Sequence, residues 1–162
     1  MKIIGVILLV VAAASPAYSA VQNRFANTCV DDTSIGSLAW SPTSSATGAP
    51  NGSFAIVNNV TNAAASHYLK CTDFGFSIPA GNTVTQIAVV ARVACSDDLQ
   101  CVDNAVRIVK SDVIGGTNRI GNQWPVDPGD VSYGNANDLW GTTWTPADIN
   151  STTFGVALSV RS

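Results

Sequence analysis

Apolar and polar positions alternate with a period of two along most of this chain. "DFGFSIP" places Phe74, Phe76 and Ile78 on one face. In "VTQIAVVARVAC", Ile87, Val89, Ala91, Val93 and Cys95 share a face, while Gln86 and Arg92 take the other. "DNAVRIVK" turns Val106 and Ile108 inward and Arg107 outward. "TFGVALSVRS" does the same with Phe154, Val156, Leu158 and Val160, leaving Ser159 and Arg161 outside. This period marks half-buried strands. "SLAW", "SFAIVN" and "SHYLKC" supply shorter candidates. Turn residues punctuate the runs at Pro50-Asn51-Gly52, "IPAGNT", "DVIGGTN" and "DPGD" (Asp127 to Asp130). A helical period is sustained nowhere. "TPADIN" predicts a single helical turn, with Thr145 as N-cap, Pro146 at the first helical position and Asp148 near the positive end. The pattern predicts an all-β, mostly antiparallel, jelly-roll-like sandwich with at most that one turn of helix.

The first residues break the alternation. Lys2 precedes an apolar run of twelve residues from Ile3 to Ala14, followed by Ser15, Pro16 and small residues, with Ala17 and Ser19 at the −3 and −1 places. Charge, apolar core and cleavage site in that order read as a secretory signal. The run is shorter than the ~20 residues that span a bilayer. Residues 1–19 are therefore expected to be removed, leaving 20–162 as one β-sandwich domain large enough for a single core. A buried N-terminal helix or an uncleaved anchor is the plainer alternative. The next segment, Ala20 to Asp32, has no obvious turn partner. It either pairs within the subunit or adds a strand to a neighbour.

Charge narrows the partners. With Lys2 removed, seven basic side chains stand against eleven acidic ones, a balance of −4. No basic stripe is present, which argues against nucleic acid. Charged residues make up 12% of the chain, about half the usual share. Asn, Thr, Ser and Gly do the solvating instead. Such a surface carries little long-range field to steer charged ligands.

The export signal gives the cysteines their meaning. An even count in an exported chain reads as disulfides. Cys95 and Cys101 enclose the tight polar loop "SDDLQ" and are taken as one bridge, which leaves Cys29 to join Cys71. Zinc would need close cysteine pairs of a kind this chain lacks, and His67 is its only histidine.

Catalytic constellations are thin. A Ser-His-Asp site requires a base that meets both a nucleophile and a carboxylate. His67 lies in a strand-like stretch, and no Gly-x-Ser-x-Gly turn occurs. Glutamate is absent, and the aspartates mostly sit where a short side chain would bond turn amides. The chain is expected not to be an enzyme and to need no cofactor. Calcium, which takes loop carboxylates, has weak candidates in Asp127 and Asp130, or in Asp97, Asp98 and Asp103. Solvated turn aspartates are the preferred reading.

"YGNANDLWGTTWTPADIN" poses the sharper question. Trp124, Tyr133, Trp140 and Trp144 could form a platform for sugar rings, apolar face against apolar face. Alternatively, Leu139 and Trp140 plug the end of the sandwich, Gly141 turns the backbone, and Trp144 packs over the short helix. The plug is preferred because large aromatics bury most of their area. Asn-x-Ser/Thr sequons begin at Asn51, Asn59 and Asn150 and matter only in a host that glycosylates.

Ala39-Trp40, "HYLKCTDFGFSIP" (His67 to Pro79), "VDNAVRIVK" (Val102 to Lys110), the Tyr133 to Asn150 corner and "FGVALS" together resemble a loosely defined set of largely uncharacterised β-sandwich proteins. These occur in phage-associated and bacterial or environmental sequences, often as exposed structural modules. The resemblance covers most of residues 20–162 and brings no catalytic residues with it. The leader and the four cysteines depart from that pattern and place this chain outside a cell. The expectation is a secreted structural or surface protein, whose partner is itself in a filament or surface layer. The alternative is a carbohydrate-binding module whose partner is a surface glycan. No membrane span is expected once the leader is gone.

Overall fold

A computed structural model describes residues 2–15, 18–95 and 100–162. In chain order its strands are β1 (Lys2–Ser15), β2 (Tyr18–Phe25), β3 (Thr28–Asp32), β4 (Ala55–Val57), β5 (Tyr68–Thr72), β6 (Thr83–Cys95), β7 (Val102–Lys110), β8 (Val113–Gly115), β9 (Gly129–Tyr133) and β10 (Gly155–Arg161). They form two five-stranded antiparallel sheets. The first runs β2-β1-β6-β9, with β4 pairing the start of β1; the second runs β3-β5-β10-β7-β8. The chain is thus the all-β sandwich that its period-two pattern predicts. One apolar core between the sheets takes Ile7, Leu9, Ile87 and Val89 from the first and Leu69, Val106, Ile108, Val156, Leu158 and Val160 from the second.

β1 is the apolar run expected to be a leader. It lies in the middle of the first sheet, with β6 along one side and β2 and β4 end to end along the other. Ile4, Ile7, Leu9, Val11 and Ala13 are at most 1% exposed. The segment after it pairs within the subunit: β2 with β1, and β3 with β5.

The short helix α1 (Pro146–Asn150) forms as its local signals predict. The Asp148 amide donates to the Thr145 hydroxyl, while the Thr145 amide donates to the Asp148 carboxylate, a reciprocal capping box. Ile149 anchors the helix in the core.

Three expectations change. Residues 73–79 alternate in burial as foreseen, with Phe74, Phe76 and Ile78 inside, but they form no strand. Asp73 (φ 57°) and Gly75 (φ 66°) sit in the left-handed region, which interrupts a ladder. Side chains replace the missing strand partner. Gln22 bonds the Ser77 amide and carbonyl, Asn150 bonds those of Ile78, and Arg24 donates to the Gly75 carbonyl. Ser159, expected outside, is fully buried because Ser66 covers that face of β10 and bonds it. Asp103, which alternation from Val106 and Ile108 would turn outward, lies on β7 and points inward. The register shift between Ser159 and Val160 skips Asn104 and reverses the phase of β7 there.

Candidate functional site

The aromatic segment is where a ligand site was most plausible, and its geometry answers the question. Trp140 is fully buried and Trp124, Tyr133 and Trp144 are at most 8% exposed, so none offers a ring face to a sugar. Trp140 carries a positive φ of 57° and is followed by Gly141 at 72°. Two successive left-handed residues drive the chain back into the sandwich end. Asp138 shapes the bend by accepting from the Trp140 amide at 2.8 Å, and the Trp140 indole donates to the Ile87 carbonyl of β6 at 2.9 Å. The Trp140 carbonyl accepts from the Thr117 amide, just beyond β8. One residue thus ties the two sheets together. Close approach here requires glycine, since a side chain at Gly116 would meet the Trp140 carbonyl oxygen at 2.7 Å.

Trp144 belongs to the same plug. Its indole donates to the Leu139 carbonyl at 3.0 Å and its ring packs edge-on against Phe154, 5.2 Å between centroids. The Lys110 ammonium lies over its other side at 5.1 Å and reaches Asp148 at 3.1 Å.

Trp124 and Tyr133 converge on Asp103. One Asp103 oxygen accepts from the Trp124 indole (2.9 Å) and the Tyr133 hydroxyl (2.7 Å). The other accepts from the amides of Gly121 (3.1 Å) and Asn122 (2.8 Å). A buried carboxylate with its lone pairs engaged in this way is a clamp between β7 and β9. Burial pushes the Tyr133 hydroxyl far above the ordinary tyrosine value, and the neighbouring Asp103 charge adds to the shift. That arrangement holds a proton; it is not poised to move one. Sequence spacing gives no sign of this cluster, because its donors lie well beyond Asp103 in the chain.

His67 meets the Asp31 carboxylate through Nδ1 at 2.7 Å, and Asp31 also accepts from the Trp40 amide. A base and its orienting carboxylate are therefore present, but no serine or threonine hydroxyl bonds the ring among the described residues. The adjacent Ser66 hydroxyl donates to the His67 carbonyl instead. Asp32, next to Asp31, is held below the usual carboxylate range by the Ser34 hydroxyl, which outweighs the opposing effect of burial.

The weak calcium candidates among the described residues are exposed or engaged elsewhere. Asp127 is exposed, Asp130 pairs with Arg92 at 3.0 Å, and Asp103 is spent on the clamp. Asp97 and Asp98 lie outside the described residues. Among the described residues, no three His, Cys, Asp or Glu side chains gather as a metal would require. Both disulfides form, Cys29–Cys71 across β3 and β5 and Cys95–Cys101 between β6 and the start of β7. Such bonds fit an oxidising compartment. No helix of the described residues is long and apolar enough to cross a membrane.

Of the sequons, Asn150 is committed: its amide nitrogen donates to the Ile78 carbonyl at 2.9 Å and its oxygen accepts from the Ile78 amide. A shallow cleft near the C-terminus, lined by Val60, Thr61, Asn62, Gln100, Val102 and Arg161, offers one cation among amides and hydroxyls.

What stays open is backbone. The first sheet ends at β2 and β9, the second at β3 and β8. Val21, Val30 and Val113 are exposed large hydrophobics on β2, β3 and β8. No protein-family model, curated protein or solved structure matches the chain.

Proposed function

We propose that this chain is an exported, non-enzymatic structural subunit that assembles with copies of itself by strand pairing outside the cell. The observation that carries this reading is the far edge of the first sheet. β2 has one strand partner, β1; its other contacts to residues 73–79 run through the Gln22 and Arg24 side chains and leave its outer backbone without a ladder, and Val21 on it is 63% exposed. An open edge with an apolar side chain is a template for another strand. Three further features support it. The rings and buried carboxylates are consumed internally, the disulfides suit an oxidising exterior, and the weakly charged surface does not repel a copy. The glycan alternative needs an exposed aromatic face, and these rings are turned inward.

The test is the particle size of the exported protein across dilution, by light scattering and electron microscopy. The reading expects filaments or sheets that shorten on dilution. A folded monomer that persists at high concentration, and on native membranes, ends it.

A further inference from the structure

Two observations meet in one strand. The first nineteen residues carry the order of an export leader, and the fold spends Lys2–Ser15 as the strand between β6 and the pair β2 and β4. A removed leader and a retained middle strand exclude each other in one finished subunit. When β1 leaves, Ile4, Ile7, Leu9, Val11 and Ala13 leave the core with it, and β6 loses twelve paired positions. We propose that removal of the leader vacates this slot, and that the N-terminal segment of a second copy, beginning at Ala20, refills it. Exported subunits then join head to tail. This deepens the assembly reading above and rests on it.

The chemistry of the first step is simple. Water hydrolyses the Ser19–Ala20 peptide bond, leaving a carboxylate on Ser19 and a free α-amine on Ala20. The consequence is topological. Among the described residues β2 has no strand partner but β1, so the same cut empties one slot and leaves Ala20–Phe25 held to its own subunit by the Gln22 and Arg24 side-chain bonds to Ser77 and Gly75, without a ladder. Each subunit gains one vacancy and one unpaired strand. Matched but different surfaces on one subunit make a heterologous contact, which propagates as a chain when its rotation does not close.

A subunit's own segment is poorly placed for the vacancy. β2 and β6 both run antiparallel to β1, so β2 runs parallel to β6. Phe25 lies opposite Leu8, halfway along the slot, and Thr28 already belongs to the second sheet, where Cys29 is bonded to Cys71. The chain can neither reverse nor reach the half where β1 meets Ala91–Cys95. A segment arriving from another copy is tethered to that copy's β3 and not to this subunit's, so it can enter at the end of the slot where Ala14 faces Thr83 and take the antiparallel direction that β1 takes.

The segment's side chains have the matching period. Val21 and Phe25 are four apart on one strand face, as are Ile7 and Val11, both fully buried in the slot. Ala20–Phe25 covers six of the slot's twelve positions. Asn23, between Val21 and Phe25, is the polar residue of that face, so Asn23→Val should tighten the joint.

The test exports the full chain into an oxidising exterior and measures the product by intact mass, light scattering and electron microscopy. The expected product lacks residues 1–19 and polymerises. Val21→Asp/Phe25→Asp should be cut and exported but should not elongate. Mixed in equal amount, it should shorten wild-type polymers, because its own slot still accepts a donor. Asn23→Val polymers should lose subunits on dilution at least tenfold more slowly. A cut, folded monomer sinks this inference and the assembly reading together. Polymers formed equally well by the double aspartate variant sink the donated strand and leave assembly standing. A product that retains residues 1–19 also sinks it, since the slot never empties. Where the aspartate variant is degraded before recovery, an unchanged dilution rate for Asn23→Val overturns the proposal.

Discussion

The two sheets contain equal numbers of strands but draw their middles from opposite ends of the chain. The second is centred on β10, the C-terminal strand, in register with β5 and β7 and flanked by a disulfide from β3 to β5. The first is centred on β1, the apolar run that follows Met1. Between them stand two cross-sheet ties, Trp140 and the Asp103 clamp. The difference lies in how each middle is secured: the second sheet has a disulfide between two of its own strands, β3 and β5, whereas β1 is held in the first by its ladders to β6, β2 and β4 and by the burial of Ile4, Ile7, Leu9, Val11 and Ala13.

The largest effect should come from removing the tie between the halves. Trp140→Ala deletes a fully buried ring and its bond to the Ile87 carbonyl. Large-to-small changes of this kind cost about 3–5 kcal/mol. Denaturant unfolding should show that loss with both sheets melting together. A loss below about 1 kcal/mol would mean that the corner caps the sandwich without joining it.

Next come the disulfides. Cys29–Cys71 closes a sequence separation of 42 and Cys95–Cys101 one of 6. Chain entropy assigns the longer loop about 4 kcal/mol and the shorter about 2 kcal/mol. Cys29→Ser/Cys71→Ser should therefore lower the unfolding midpoint more than Cys95→Ser/Cys101→Ser. The reverse order would place the covalent support in the wrong half.

A smaller and pH-selective effect follows from Tyr133. Burial, then the Asp103 charge, raises its pKa in the folded state, and burial likewise raises that of Tyr68. A raised folded value means that the stabilising contribution is complete below the ordinary tyrosine value of about 10 and is lost as pH rises beyond it. Absorbance at 295 nm should report these phenolates appearing only as circular dichroism reports unfolding. Ionisation of Tyr133 in a still-folded protein would break the clamp argument.

Much of this structure could be read from the chain alone, for reasons that are local. Strands β6, β7 and β10 follow from period-two burial, and the Trp140 corner follows from an aromatic placed against glycine. What could not be read depends on residues far apart. The alternation of Phe74, Phe76 and Ile78 is right about burial and wrong about the ladder, because Gln22 and Asn150 supply bonds that no local pattern announces. Strict alternation from Val106 and Ile108 turns Asp103 outward; a bulge at Asn104 reverses the phase of β7, and only the fold reveals the bulge. β1 carries an unbroken apolar run, which looks the same whether its destination is a translocation channel or the centre of a sheet.

The smallest effect should be the most local one. The Thr145 hydroxyl caps α1 by accepting from the Asp148 amide, and its own amide donates back to the Asp148 carboxylate at 2.8 Å. Thr145→Ala removes the first bond and the hydroxyl's own donation to the Asp148 carboxylate at 2.9 Å, leaves the amide's, and should cost about 1 kcal/mol, the usual worth of an N-cap. Burial pushes the Asp148 carboxyl upward, but bonds from the Thr145 amide and hydroxyl and from the Lys110 ammonium outweigh it and hold it below its ordinary 3.8. A depressed folded value means stability present above the ordinary carboxylate range and lost as pH falls through the folded value. The hydroxyl is one of the groups that depress it, so the difference between wild type and Thr145→Ala should be full at pH 7 and shrink in acid below pH 3.8. Since α1 lies outside both sheets, the variant should leave assembly unchanged. A loss near that of Trp140→Ala would show that the helix is part of the joint between the sheets and not a cover over it.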